Sequence, residues 1–123
     1  MAKFVSENRP LTREEEQLVR WMLEHGKPEG ERLFAQLEQA RVTPWRCPCG
    51  CASLNFAIER LPHPSGALRP VADFVFGDDP DLNGIFVYEQ DGILAGIEVY
   101  GLSGDAAKSL PRPEALRPVP LAK

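Results

Sequence analysis

The dipeptide Asp91-Gly92 separates two apolar runs, residues 85–90 and 93–100, and no other feature limits the folds open to this chain as strongly. A two-residue hairpin turn of type I′ needs positive φ at both central residues, which Asp and Gly tolerate. Residues 54–58 alternate apolar and polar side chains, and residues 71–76 form a further apolar run, so each is predicted to be a strand. The sequence therefore predicts an antiparallel β-meander of about four strands.

The N-terminal part of the chain has a helical period instead. Thr12 followed by Glu15 matches the capping-box pattern, and acidic side chains fill the first turn, as the helix dipole prefers. Apolar residues then recur at helical spacing as far as Gly26, which is a natural C-terminal stop. A helix is therefore predicted over residues 13–25.

A second helix is predicted over residues 28–40, because Pro28 suits the first position of a helix. Its apolar stripe would consist of Leu33, Phe34 and Leu37. The expected fold class is α+β, with this N-terminal helical hairpin packed on the meander. A proline-rich C-terminal arm would follow, carrying Pro111, Pro113, Pro118 and Pro120.

Length and composition predict a single domain over residues 1–123. With 123 residues and 43% apolar content, the chain can build one core, expected over residues 11–101, with residues 102–123 as an extended tail. No run approaches the roughly 18 apolar residues of a membrane span, and the first residues turn acidic too soon for a signal peptide, so a cytoplasmic protein is expected. The net charge of −4 disfavours direct nucleic-acid binding, which needs clustered Lys and Arg.

All three cysteines lie within five positions, in the segment Cys47-Pro48-Cys49-Gly50-Cys51. Structural zinc is held by four nitrogen or sulfur ligands, so the three thiolates and His63 from the next predicted loop form a candidate set. The first four residues of the segment also resemble the opening of the SEC-C zinc-binding motif, although the later Cys and His pair of that motif is missing. Two alternatives remain open, a thiol redox site and cysteines that pack as small apolar groups. Apart from this candidate zinc ion, no cofactor is expected.

The chain contains no nucleophile elbow, no phosphate-binding loop and no dinucleotide-binding fingerprint, so no enzymatic activity is expected. Carboxylates recur along the first predicted helix and the predicted hairpin. If they converge, they form a negative face that attracts a basic protein. The residues predicted to bind such a partner are Asp78, Asp79, Asp81, Glu89, Asp91 and Glu98.

Three features together resemble a group of small, mostly uncharacterised bacterial proteins: the predicted helical hairpin, residues 49–53 at the start of the first strand, and residues 96–100 at the end of the sheet. Some of those proteins are similar to immunity proteins of contact-dependent growth inhibition systems. The resemblance implies a cytoplasmic immunity protein that binds a basic toxin domain, such as a nuclease, and occludes its active site. A small zinc-binding protein and a domain of unknown function remain the alternatives.

Overall fold

The first long element is the helix α1 (Arg13–His25), in a computed structural model that describes residues 7–120. Thr12 Oγ1 accepts a hydrogen bond from the Glu15 amide at 3.1 Å, and Glu15 Oε1 accepts one from the Thr12 amide at 2.9 Å. This capping box satisfies donors that the start of a helix leaves free. The predicted first helix is confirmed, together with its cap.

The strands form one antiparallel sheet with the order β1-β2-β3-β6-β5-β4-β7. They are β1 (Arg9–Pro10), β2 (Ala40–Val42), β3 (Leu54–Ile58), β4 (Leu68–Phe76), β5 (Asn83–Gln90), β6 (Ile93–Gly101) and β7 (Arg117–Pro118). The predicted four-stranded meander is therefore wrong. Within residues 7–120 the sheet has seven strands, and β3 pairs with β6 instead of with β4, the next strand in sequence.

The hairpin between β5 and β6 has the predicted turn. Asp91 and Gly92 have φ values of 55° and 79°, the positive pair that a type I′ turn requires. The two strands pair from Asn83 opposite Gly101 to Gln90 opposite Ile93, with a register shift between Tyr88 and Glu89. This hairpin supplies the centre of the sheet.

The predicted second helix, and with it the helical hairpin, is wrong. The segment forms a 3-10 helix (Pro28–Leu33) followed by the single-turn α2 (Phe34–Leu37), and the chain enters β2 where the helix was expected to end. Gly30 gives the physical reason, because glycine weakens an α-helix and the backbone here runs close to its neighbours. A Cβ at this position would lie 3.2 Å from Leu23 Cδ2 and 3.4 Å from the Val71 carbonyl oxygen.

The proline-rich segment lies against the sheet as far as it is described, which corrects the expected C-terminal arm. A 3-10 turn (Pro113–Ala115) precedes β7, and β7 pairs with the edge of β4. Leu116 between them is only 8% exposed and belongs to the core. The last three residues of the predicted tail, 121–123, lie outside the described range.

The core lies between α1 and one face of the sheet. From the helix it takes Leu18, Val19, Met22 and Leu23, and from the central strands Ile85, Val87, Ile97 and Val99, all at most 2% exposed. Among residues 7–120, no helix is long and apolar enough to cross a membrane. The opposite, uncovered face of the sheet carries Phe86, Glu98 and Tyr100, and no helix within residues 7–120 packs on it.

Candidate metal centre in the groove between α1 and the sheet

The cysteines lie in the connection between β2 and β3, where the chain makes a tight turn. The Gly50 amide donates to the Cys47 carbonyl oxygen at 2.9 Å, and Pro48 occupies the second turn position, which its fixed φ suits. Gly50 has a φ of +83°, a conformation that glycine adopts without strain. The turn folds the segment back on itself and brings its side chains together.

Hydrogen bonds on both sides fix this turn to the rest of the fold. On one side, the Thr43 amide donates to the Asn55 carbonyl oxygen at 2.9 Å. On the other, the Ala52 amide donates to the Ala107 carbonyl oxygen at 3.0 Å. The second bond joins the cysteine segment to the stretch that follows β6. The two stretches therefore lie side by side, and both line the same groove.

The three cysteine sulfurs lie within 4.8 Å of one another, and the Sγ atoms of Cys47 and Cys49 are 3.1 Å apart. With Zn–S bonds of about 2.3 Å, two sulfurs of a tetrahedral site lie about 3.8 Å apart. Side-chain rotations that move each sulfur by about one ångström or less would therefore place all three sulfurs around one ion. All three cysteines are free, with Cys49 exposed and Cys47 and Cys51 half-buried.

The cysteines differ in acidity. The hydrogen bond between the two sulfurs raises the pKa of Cys47 to about 11. Burial alone would raise the pKa of Cys51, but hydrogen bonds with Ser53 and with the neighbouring thiols outweigh it, and the pKa is lowered. The Cys51 thiol donates to Ser53 Oγ at 3.1 Å, and that oxygen also accepts from the Val99 amide at 2.8 Å. Of these two thiols, Cys51 therefore loses its proton at the lower pH.

The turn forms part of the wall of a groove of about 1060 Å³, which extends to the start of α1 and to the proline-rich segment. Two cations lie at its cysteine end, Arg46 and Lys108. Lys108 Nζ would be 3.7 Å from a Cβ at Gly50, so its ammonium group lies beside the turn. Within residues 7–120, neither Arg46 nor Lys108 forms an ion pair.

Carboxylates line the opposite end of the groove, near the start of α1. Glu15 is held there by Arg9 through bonds of 2.9 and 3.0 Å, so its charge is compensated. Glu7 and Glu14 also lie at this end. Arg112 and Glu114 of the proline-rich segment also line the groove, so both signs of charge occur along it, and Lys108 is the cation that the distances place beside the cysteine turn.

The structure gathers the three predicted cysteines but not the predicted fourth ligand. His63 is exposed in the connection between β3 and β4, and it is not among the ligand atoms that cluster within residues 7–120. No other His, Asp or Glu of that range joins the cluster either. The protein therefore offers three sulfur ligands and an open fourth position.

The six carboxylates predicted to bind a partner do not form one face. Glu89 is 2% exposed and lies inside the fold. Asp91 lies at the β5–β6 turn, whereas Asp78, Asp79 and Asp81 lie in the loop before β5, at the other end of a strand of eight residues, roughly 25 Å away. Glu98 lies between these ends, paired with Phe86 on the uncovered face of the sheet.

Sequence reasoning missed Lys108 and the uncovered face. Lys108 comes close to the cysteines only through the backbone bond between Ala52 and Ala107, and no periodicity indicates such a contact. Arg46 was visible as the neighbour of Cys47. The uncovered face could have been found from the alternation of β5 and β6, which assigns Phe86, Tyr88 and Tyr100 to the side opposite the core.

Comparison of this chain with protein-family models, curated proteins and solved structures gave no significant match. The geometry of the site is therefore the only basis for assigning a function to this chain. The resemblance to bacterial immunity proteins stays a prediction.

Proposed function

We propose that this chain is a zinc-binding protein that holds the ion through Cys47, Cys49 and Cys51. The observation that carries the proposal is the gathering of three free sulfurs within 4.8 Å at the end of a groove. Thiolate sulfur is a soft ligand that suits zinc and copper(I). Zinc is the ion that commonly combines three protein ligands with one exchangeable position.

The open fourth position favours exchange of the ion over a purely structural role. Structural zinc sites are closed by four protein ligands, whereas this cluster offers three and includes the exposed Cys49. Such a site suits a sensor or carrier of zinc. The proposal places the chain in the cytoplasm, where thiols stay reduced.

The test is zinc stoichiometry with site variants. Protein purified under reducing conditions should bind one zinc ion per chain, measured by elemental analysis after removal of free metal. The variants Cys47→Ser, Cys49→Ser and Cys51→Ser should each lower the affinity by a factor of at least about 100, since a neutral hydroxyl replaces a thiolate ligand. The matched control is His63→Gln, which should bind zinc like the parent chain. Retention of full affinity in the cysteine variants would refute the proposal.

A second candidate function is binding of a basic protein, as expected of an immunity protein, and the uncovered face of the sheet favours it. The Phe86 ring lies 5.9 Å from the rings of both Tyr88 and Tyr100. Phe86 and Tyr100 are half-buried, whereas Tyr88 is only 8% exposed, so the first two rings form the accessible part of this aromatic row. Glu98 and Asp73 are the residues paired with Phe86 on either side. Aromatic faces next to carboxylates attract Lys and Arg side chains.

This candidate revises the predicted contact residues, because of the six carboxylates only Glu98 lies on that face. The double variant Asp73→Lys with Glu98→Lys should abolish binding of a basic toxin domain encoded next to this chain, measured by calorimetry. The control is the double variant Asp78→Lys with Asp91→Lys, which changes the net charge by the same amount but at the two ends of the sheet. It should bind nearly normally. Equal losses in the two double variants would reject the face as the contact site.

A further inference from the structure

Two cations that line the groove, and that form no ion pair within residues 7–120, adjoin the cysteine segment. Arg46 directly precedes the first cysteine, and Lys108 Nζ lies beside Gly50 between the second and third. Both side chains line the groove together with Cys47 and Cys51. A molecule that enters the groove at this end therefore meets sulfur-bound metal and positive charge at once.

We propose that the groove binds a small thiol that carries a carboxylate group. Its sulfur takes the fourth position on the ion, and its carboxylate pairs with Arg46 and Lys108. This inference rests on the proposed zinc function. Binding forms one metal–sulfur bond and breaks the bond between the ion and the water in its fourth position. The water and the proton of the thiol pass to solvent, so no oxidant or reductant is needed.

Charge balance supports an anionic ligand. Three thiolates around a divalent ion carry a net charge of −1, and Arg46 and Lys108 together add +2, so the site with its two cations carries a net charge of +1. This positive balance attracts an anion, and charge-assisted hydrogen bonds to the two cations can hold a carboxylate. The guanidinium group of Arg46 can also hold a carboxylate through two parallel hydrogen bonds.

The size and lining of the groove also fit such a molecule. Its volume of about 1060 Å³ exceeds what a single water or hydroxide ligand needs. Trp45, which is 46% exposed, and Leu110 provide apolar wall next to the cations. A short carbon chain between a sulfur and a carboxylate can lie against that wall.

The experiment uses the full chain loaded with Co(II) in place of zinc, in the absence of oxygen. Sulfur-to-cobalt charge-transfer absorbance reports thiolate ligation, and the visible bands report a change of the fourth ligand. Three probes separate the contributions: 3-mercaptopropionate has both groups, 2-mercaptoethanol has only the thiol, and propionate has only the carboxylate. We expect 3-mercaptopropionate to bind about tenfold more tightly than 2-mercaptoethanol, and propionate to leave the spectrum unchanged.

The double variant Arg46→Gln with Lys108→Gln should keep the charge-transfer band of the protein and lose the preference for the acidic thiol. The control Lys27→Gln removes an exposed cation outside the groove and should keep that preference. If Co(II) produces no charge-transfer band, the zinc function and this inference both fail. If the band is present but the two thiols bind equally, or the double variant keeps the preference, only this inference fails.

Discussion

Among residues 7–120, Glu89 is the only buried Asp, Glu, Lys or Arg, at 2% exposed. Its Oε1 accepts a hydrogen bond from the Gly92 amide at 2.6 Å. Its Oε2 lies 3.5 Å from Arg69 Nε and 3.7 Å from Arg32 Nη2. Both arginine side chains are at least half exposed, so solvent weakens these ion pairs, and the backbone bond at the hairpin turn is the stronger contact.

Replacement of Glu89 by alanine should destabilise the protein by about 2 kcal/mol, because the Gly92 amide loses its acceptor and a cavity remains. Glu89→Gln keeps an oxygen for that amide and should cost about half as much. The exposed Asp91→Asn, two residues away, is the control and should change stability by less than about 0.5 kcal/mol. Urea unfolding of the three variants measures these differences. A loss in Glu89→Ala no larger than in the control would show that the carboxylate does not hold the turn.

The acidity of the cysteines predicts how zinc binding depends on pH. Zinc binds the thiolate, so each thiol that is protonated in the free protein releases a proton on binding. Cys47, with a pKa of about 11, is protonated at neutral pH and contributes one full proton. The affinity should therefore rise by at least about tenfold per pH unit from pH 6.5 to 8. Competition with a chelator of known proton affinity measures it, and an affinity independent of pH would contradict the assigned ligands.

At the scale of elements, long segments with their own local signals could be predicted and short ones could not. The helix α1 has its capping box, and the β5–β6 hairpin has strands of eight and nine residues joined by Asp91-Gly92. The strands β1, β2 and β7 have only two or three residues, too few to show a period. These short strands form because the edges of neighbouring strands offer free backbone donors and acceptors. Such pairing is a tertiary contact that the local sequence does not show. The prediction of a second helix was wrong because the local proline and apolar signals carry no information about the close contact at Gly30.

The attachment of the C-terminal segment gives a prediction for one element. Leu116 anchors this segment to the core, so Leu116→Ala should destabilise the protein by about 2–4 kcal/mol. Val119, three residues later, is 41% exposed, and Val119→Ala should cost less than about 0.5 kcal/mol. Thermal or urea unfolding of both variants checks the contrast. Equal, small effects would mean that the segment does not pack on the sheet in solution.

For the whole molecule, the three cysteines lie outside the hydrophobic core, although Cys51 reaches its edge through Ser53. The proposed metal ligands lie within five consecutive residues, whereas the core is formed by α1 and the sheet. The cysteine cluster could be predicted from the sequence, since it is local. The groove and Lys108 could not, because they depend on how distant segments of the chain meet.

This separation predicts that the fold does not require the metal. Because the proposed ligands are close in sequence, the unfolded chain should also bind zinc, and the ion should therefore stabilise the folded state only weakly. Removal of zinc by a chelator should lower the melting temperature by less than about 5 °C and leave the far-ultraviolet circular dichroism unchanged. A cooperative loss of structure on chelation, as in a zinc finger, would contradict this placement of the site.

The most direct test of the central claim is X-ray absorption at the zinc edge of the loaded protein. Ligation by Cys47, Cys49 and Cys51 predicts three sulfur neighbours at about 2.3 Å and one lighter neighbour at about 2.0–2.1 Å in buffer without added thiol. A first shell of nitrogen and oxygen with at most one sulfur would contradict the claim that these three thiolates hold the ion.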